Sequence, residues 1–164
     1  SLCKMKVLSI DIGIRNFAMS LYCTKKKKFI LFVVKDLIKI KDCVARMKQL
    51  TSEEPFLSAD VILVENQMRS IMKTMATSIR AFHFDKTIMI APQSVKRFFS
   101  SGTKKHSSNK KVAVNLARGF LKKKNLAEFE GFRKKDDIAD CVLQTIYYLK
   151  KILPSRCVVK VTSL

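Results

Sequence analysis

The sequence predicts an α/β domain with a mixed sheet, three antiparallel strands first and parallel strands after, flanked by helices. Three observations carry this expectation. Strand-length apolar runs follow one another up to Val34 with only short turns between them, and later apolar runs alternate with segments of helical periodicity. The glycine in DIGIRN lacks the G-x-G-x-x-G phosphate fingerprint, which separates the chain from doubly wound dinucleotide folds. With 164 residues, 48% of them hydrophobic, and only four Gly and three Pro, residues 1–164 are expected to form one domain with a sizeable core. Residues 1–4, ahead of Met5, read as an expression remnant or the end of an upstream extension, without secretory character.

The elements follow in order. KVLSID (6–11) and NFAMSLYC (16–23) are strand-length runs joined by a glycine-containing turn, so a β-hairpin opens the domain. TKKKK (24–28) turns into FILFVV (29–34), whose aromatic and β-branched residues suit a third strand. A helix is expected near 41–50. ADVILVEN (59–66) is almost continuously apolar, as a central strand buried on both faces would be. Met68, Ile71, Met72, Met75, Ile79 and Phe82 recur at helical spacing over 67–83 and suit core packing or a dimer face better than a ligand site. TIMIAP (87–92) reads as another buried strand, SVKRFF (94–99) as a short helix, and 100–108 as a polar, basic loop. Ser108 can cap a helix reaching about Phe120. Ile138, Cys141, Val142, Thr145, Leu149 and Ile152 support a last helix from about Lys135 to Leu153.

Charge narrows the function. Thirty-three Lys and Arg against thirteen Asp and Glu leave a net charge of +20, which attracts polyanions, nucleic acid foremost. No apolar run approaches the roughly 20 residues of a membrane-spanning helix, so no membrane partner is expected. An intracellular setting is. The five cysteines form no C-x-x-C pair and only two histidines are present, His83 and His106, so zinc chemistry is not indicated.

Against this basic background, KKDDIADC (134–141) crowds three carboxylates into five positions. Asp136 and Asp137 at a helix N-terminus suit the macrodipole, but Asp140 sits a turn further in. Asp140 can share a helical face with either of them. Asp11 ends the first apolar run and Glu65 the fourth, where a carboxylate is ordinarily the first solvated residue of a strand. Hard divalent cations account for the set together, since carboxylate oxygens are their preferred ligands. Two such ions can activate water and stabilise the leaving oxygen of a phosphodiester, while the basic surface holds the polyanion.

SIDIGIRNFA, ILVENQ and KKDDIADCVL resemble, in order and spacing, the three acidic motifs of RuvC-type Holliday junction resolvases in the ribonuclease H-like superfamily. The Arg15-Asn16 tail and the K-K-D-D-x-A-D form look closest to the poxvirus resolvases and their fungal mitochondrial relatives. The resemblance spans about residues 5–153. It implies a ribonuclease H-like sheet and a homodimeric endonuclease that nicks four-way or branched DNA in symmetric pairs with two Mg2+ or Mn2+ ions per site and no small-molecule cofactor. By motif, Asp11, Glu65, Asp137 and Asp140 are the metal-binding acids, with Asp136 as an alternative to Asp137. Lys96 and Lys111 match the family's catalytic-site lysines. Lys111 is taken as the catalytic one, although the basic loop lengthens their separation and leaves Lys105 or Lys110 as alternatives. DNA contacts are expected from Lys96, Lys104, Lys105, Lys110, Arg133, Lys134 and Lys135. If the viral likeness holds, the setting implied is the host cytoplasm, at sites of viral DNA replication.

Other features have plainer readings. Gly13 serves either a close phosphate or metal approach or a turn of unusual φ. His106 is a solvated loop residue before it is a proton donor, His83 a packed histidine, and Phe98 and Phe99 core aromatics before DNA wedges. Lys25–Lys28 and Lys122–Lys124 add to a distributed phosphate-binding surface. The rival functions are a related nuclease acting on structured RNA and a non-catalytic nucleic-acid-binding module. An actin-like phosphotransferase would need a second lobe and a Gly-rich phosphate loop, neither of which is present.

Overall fold

The computed structural model describes residues 4–38, 42–100 and 109–159. β1 (Lys6–Asp11), β2 (Phe17–Cys23) and β3 (Lys28–Lys35) form the expected antiparallel meander. β4 (Val61–Glu65) then pairs parallel to β1, and β5 (Thr87–Ile90) parallel to β4, giving the order β3-β2-β1-β4-β5. Helix α1 (Cys43–Thr51) precedes β4, and α2 (Ser70–Phe82) separates β4 from β5. After β5 come α3 (Pro92–Ser100), α4 (Asn109–Phe120), α5 (Lys123–Glu130) and α6 (Asp136–Tyr147). A π-helical stretch, Tyr148–Ile152, joins α6 to α7 (Leu153–Val159), so the last helix runs past the expected Leu153.

Strand alternation divides the core between the two faces of the sheet. Leu8 and Ile10 of β1 and Ile62 and Val64 of β4 pack with Met47 and Leu50 of α1 and Met75 and Ile79 of α2. On the opposite face Ala18 and Phe32 meet Ala117 of α4, Phe129 of α5 and Ile138, Cys141 and Val142 of α6. Val7 and Leu63 pack there with Tyr148 and Leu153. The helix α6 is the long spine of that face, with Ile138, Ala139, Cys141 and Val142 fully buried.

Several expectations are refined. β4 is central, as its apolar run requires, but β5 is an edge strand in which only Ile90 is buried. The α2 stripe is only partly core: Met75 and Ile79 are buried and Met72 half-buried, while Met68, Ile71 and Phe82 are exposed. Gly13 shows no unusual φ. A Cβ there would lie 2.6 Å from the Asn16 carbonyl oxygen, so the tight return of the chain on itself excludes a side chain. His83 packs as expected, its ring stacked on Phe56 and its Nε2 2.9 Å from the Thr51 carbonyl. Phe98 and Phe99 sit in an aromatic cluster with Tyr147 and Phe120, not on a free surface. The helix α5 begins within the Lys122–Lys124 run, where the sequence suggested only a charged surface. Among the described residues no helix is long and apolar enough to cross a membrane.

Candidate active site

The register of the sheet brings the first two acids together. Asp11 ends β1 and Glu65 ends β4, one residue beyond the paired Ile10 and Val64. Leu8, Ile10, Ile62 and Val64 occupy the α1/α2 face, so by alternation Asp11 and Glu65 point to the face that α6 covers. The start of α6 is fastened there: the Cys141 thiol donates to the Ala18 carbonyl at 3.4 Å, and Ala18 is the β2 partner of Asp11. Together with the packing of Ile138, Cys141 and Val142, this bond holds the first turns of α6, and with them Asp137 and Asp140, near the ends of β1 and β4.

The result is an open cavity of about 680 Å3, lined by Asp11, Glu65 and Asp137 together with Arg15, Arg69, Lys96 and Lys134. Burial pushes Asp11 up to about 8, and the charges of Asp140, Glu65 and Asp137 push the same way. Asp140 rises to about 7, from the protein packed round it and from Glu65, Asp137 and Asp136. Its side chain keeps solvent access beside the cavity, so water tempers that crowding more than at Asp11. Glu65 is also raised by burial, with Lys96 acting against the rise. The Oδ2 atom of Asp137 is shut off from water and accepts no hydrogen bond, although Lys134 Nζ lies 3.0 Å away as its charge partner.

These side chains fit hard divalent cations by donor chemistry. The donors are carboxylate oxygens, one of them buried without a hydrogen bond, and they destabilise one another when ionised. As placed, Asp11, Glu65 and Asp137 line the cavity with Asp140 beside them, and among the described residues no three of the four close into a ligand cluster. Mutual repulsion of four carboxylates opposes such closure unless positive charge enters between them.

A family model for the poxvirus A22 protein matches residues 5–152. The chain belongs to the poxvirus A22 protein family. Among solved structures, this A22-family chain is similar to fowlpox virus resolvase in complex with its substrate Holliday junction DNA. There the TM-score is 0.67 at 21% identity, covering 91% of this chain and 99% of that one. A second fowlpox virus Holliday junction resolvase structure gives 0.64 at 21% identity, covering 89% and 99%. T. thermophilus RuvC in complex with a Holliday junction substrate gives 0.54 at 14% identity, covering 89% and 95%. The fold is thus ribonuclease H-like, as in RuvC, and the resemblance read from the three motifs is borne out. No curated protein matches the sequence significantly.

Within the A22-family chain, the basic residues divide by position. Lys96 and Lys134 line the cavity. Lys110 Nζ lies 2.9 Å from Asp136 Oδ2, and Lys134 Nζ 3.9 Å from the same oxygen. Burial raises Asp136, but the Lys110 hydrogen bond and the Lys134 charge outweigh it and hold this acid below its ordinary range. Asp136 thus pairs with Lys110, while Asp137 lines the cavity and pairs with Lys134. Lys111 is exposed and shows no ion pair with the acids among the described residues. Lys135 donates to the Phe132 carbonyl at 2.8 Å, and Arg133 is exposed. Lys104, Lys105 and His106 lie outside the described residues. Arg15 and Arg69 line the cavity although the sequence suggested no role for them. Their only signal was adjacency, Arg15 in the first acidic motif and Arg69 just after the second.

Proposed function

We propose that this protein is a metal-dependent endonuclease that resolves four-way and branched viral DNA by paired symmetric nicks. The observation that carries the reading is the meeting of Asp11, Glu65, Asp137 and Asp140 at one site on a chain of net charge +20. Acids so placed would repel DNA, and divalent cations reconcile them with a polyanionic substrate.

Asp11, Glu65, Asp137 and Asp140 would hold two Mg2+ or Mn2+ ions, with Asp136 kept out of the set by Lys110. Such ions supply an activated water and charge stabilisation for the leaving oxygen. The chain does the rest. Arg15, Arg69 and Lys96 ring the cavity and orient the phosphodiester, the planar arginines suiting bidentate contact with phosphate oxygens. Lys96 offsets charge at Glu65 and Asp140. Lys96 and Lys110 are the lysines whose positions favour a part in the chemistry, in preference to Lys111. A homodimer would present two matching sites to opposed strands, and exposed Met68, Ile71 and Phe82 at and beside α2 suit such an interface. The likeness of fold to resolvases solved on junction DNA and the poxvirus family support an intracellular setting where viral DNA is copied.

The test is incubation with a labelled four-way junction in Mg2+, in Mn2+ and in chelator, beside matched linear duplex and structured RNA. Paired nicks across the junction, absent in chelator, are expected. Preferential cutting of RNA would favour the RNA-processing alternative, and binding without cutting in either metal would favour a non-catalytic module.

A further inference from the structure

A second cavity, of about 540 Å3, is lined by Lys26, Lys27, Lys28, Lys122, Lys123 and Lys124 together with Asn125. Lys26 and Lys27 come from the β2–β3 turn and Lys28 from the start of β3, while Lys122 is the N-cap residue of α5 and Lys123 and Lys124 open it, two segments nearly a hundred residues apart in sequence. A buried hydrogen bond fastens them together: Asn125 Nδ2 donates to the Phe29 carbonyl at 2.9 Å. None of the six lysines is paired with a carboxylate among the described residues.

Two local features set the cleft apart, and the second is costly unless an anion sits there. Lys27 has φ 49, a left-handed conformation that glycine or asparagine adopts more readily. Lys123 and Lys124 open α5 with no acidic residue in its first turn and no side-chain cap, so positive charge stands on the positive end of the helix. A phosphate relieves the second conflict directly, since free N–H groups at a helix start donate to anions.

The cavity's place suggests what the anion belongs to. Cys23 pairs with Lys6 and Asp11 with Ala18, so the β2–β3 turn lies at the opposite end of β1 from the acids. At about 3.3 Å per residue the length of β1 separates them by roughly 17 Å. Along the axis of a duplex, with a rise of about 3.4 Å per base pair, that is about five base pairs. The site is open, and lysine ammonium groups act as point charges without the planar fork that reads one fixed geometry. Such a surface tracks a backbone without reading bases.

We propose that this six-lysine cleft binds the phosphodiester backbone of a duplex arm, about five base pairs from the phosphate held at the acid cavity. The proposal rests on the reading of that cavity as a DNA-cutting site. The cleft anchors the arm, sets its direction, and favours junctions whose arms are long enough to reach it.

The test measures binding in chelator, with Asp140→Asn as the parent protein, to junctions with hairpin-capped arms of about 20 and about 4 base pairs. Two variants are compared with the parent: Lys26→Gln/Lys28→Gln/Lys122→Gln/Lys124→Gln, and Lys27→Gly, which relieves the turn while removing a charge. Both are expected to bind long-armed junctions more weakly, the quadruple variant by about tenfold or more, with the log–log salt slope reduced by about 0.9 for each phosphate no longer neutralised. Short-armed junctions are expected to bind all three proteins alike. Lys27→Gly is expected to keep or raise Tm, which separates the effect of charge from that of folding. Unchanged long-arm affinity and salt slope overturn the proposal, as does equal weakening for long and short arms. Absence of cutting by the unmodified protein, with this arm-length dependence intact, overturns the nuclease reading and leaves the cleft standing.

Discussion

Asp11 and Glu65 end neighbouring parallel strands one residue beyond the Ile10–Val64 pair, and both side chains face α6. Burial raises the protonation range of both, Asp11 to about 8. A pair held in this way stabilises the fold poorly when ionised, a cost that a bound cation would offset under the proposed function.

Replacing Asp140 by Asn is expected to abolish cutting while junction binding persists. The change removes one oxygen donor and one negative charge without touching a phosphate-binding group. Loss of several kcal/mol of transition-state stabilisation corresponds to about a thousandfold or more in rate. Single-turnover cleavage in Mg2+ and a gel-shift titration in chelator measure the two effects separately.

In the absence of metal, the fold should lose stability as pH rises. Asp11 is raised from 3.8 to about 8 in the folded protein, so between those values the folded state binds more protons than the unfolded one. The contribution is fully present below about 4 and lost as pH climbs through 8. Tm in chelator is therefore expected to fall between pH 5 and pH 8, more gently in Asp11→Asn. Added Mg2+ should raise Tm more at pH 8 than at pH 6, and a rise independent of pH would count against metal binding by this acid.

The lysines of α4 can be told apart by substitution. Lys110 reaches Asp136 at 2.9 Å, whereas Lys111, the next residue, is turned elsewhere on the helix. Lys110→Ala and Lys96→Ala are expected to slow single-turnover cleavage by about ten- to a hundredfold, and Lys111→Ala to leave it near the parent rate. The reverse order would favour Lys111, as the family resemblance implies.

Gly13 tests the turn that carries Asp11. A Cβ placed 2.6 Å from the Asn16 carbonyl oxygen forces the backbone to move, so Gly13→Ala is expected to cost about 1–3 kcal/mol. Urea denaturation measures the cost. Because β1 and β2 flank the turn, cleavage should fall together with stability.

Local pattern made much of the fold legible. The apolar runs at 6–11, 16–23, 29–34 and 59–66 announced their strands, because burial on one or both sheet faces imposes its own spacing on the residues. The helix α5 escaped notice because KKNLAEFE carries few apolar residues and begins with lysines, and its formation rests on Phe129 finding the core under α6. The edge position of β5 was equally hidden, since TIMI reads the same whether one or both of its sides are paired.

For the site, the sequence by itself determined the inventory: a strongly basic chain, acids at the ends of two strands, and an acidic cluster opening the last helix. Tertiary structure alone decided the placements, setting Asp137 at the cavity and Asp136 against Lys110, and joining two distant lysine runs into one cleft. The reason is geometric. Neighbouring helix positions differ by about 100° around the axis, so which of two adjacent side chains meets a partner depends on how that helix is rotated against the sheet. That rotation is set by the packing of Ile138, Cys141 and Val142 against segments far away along the chain.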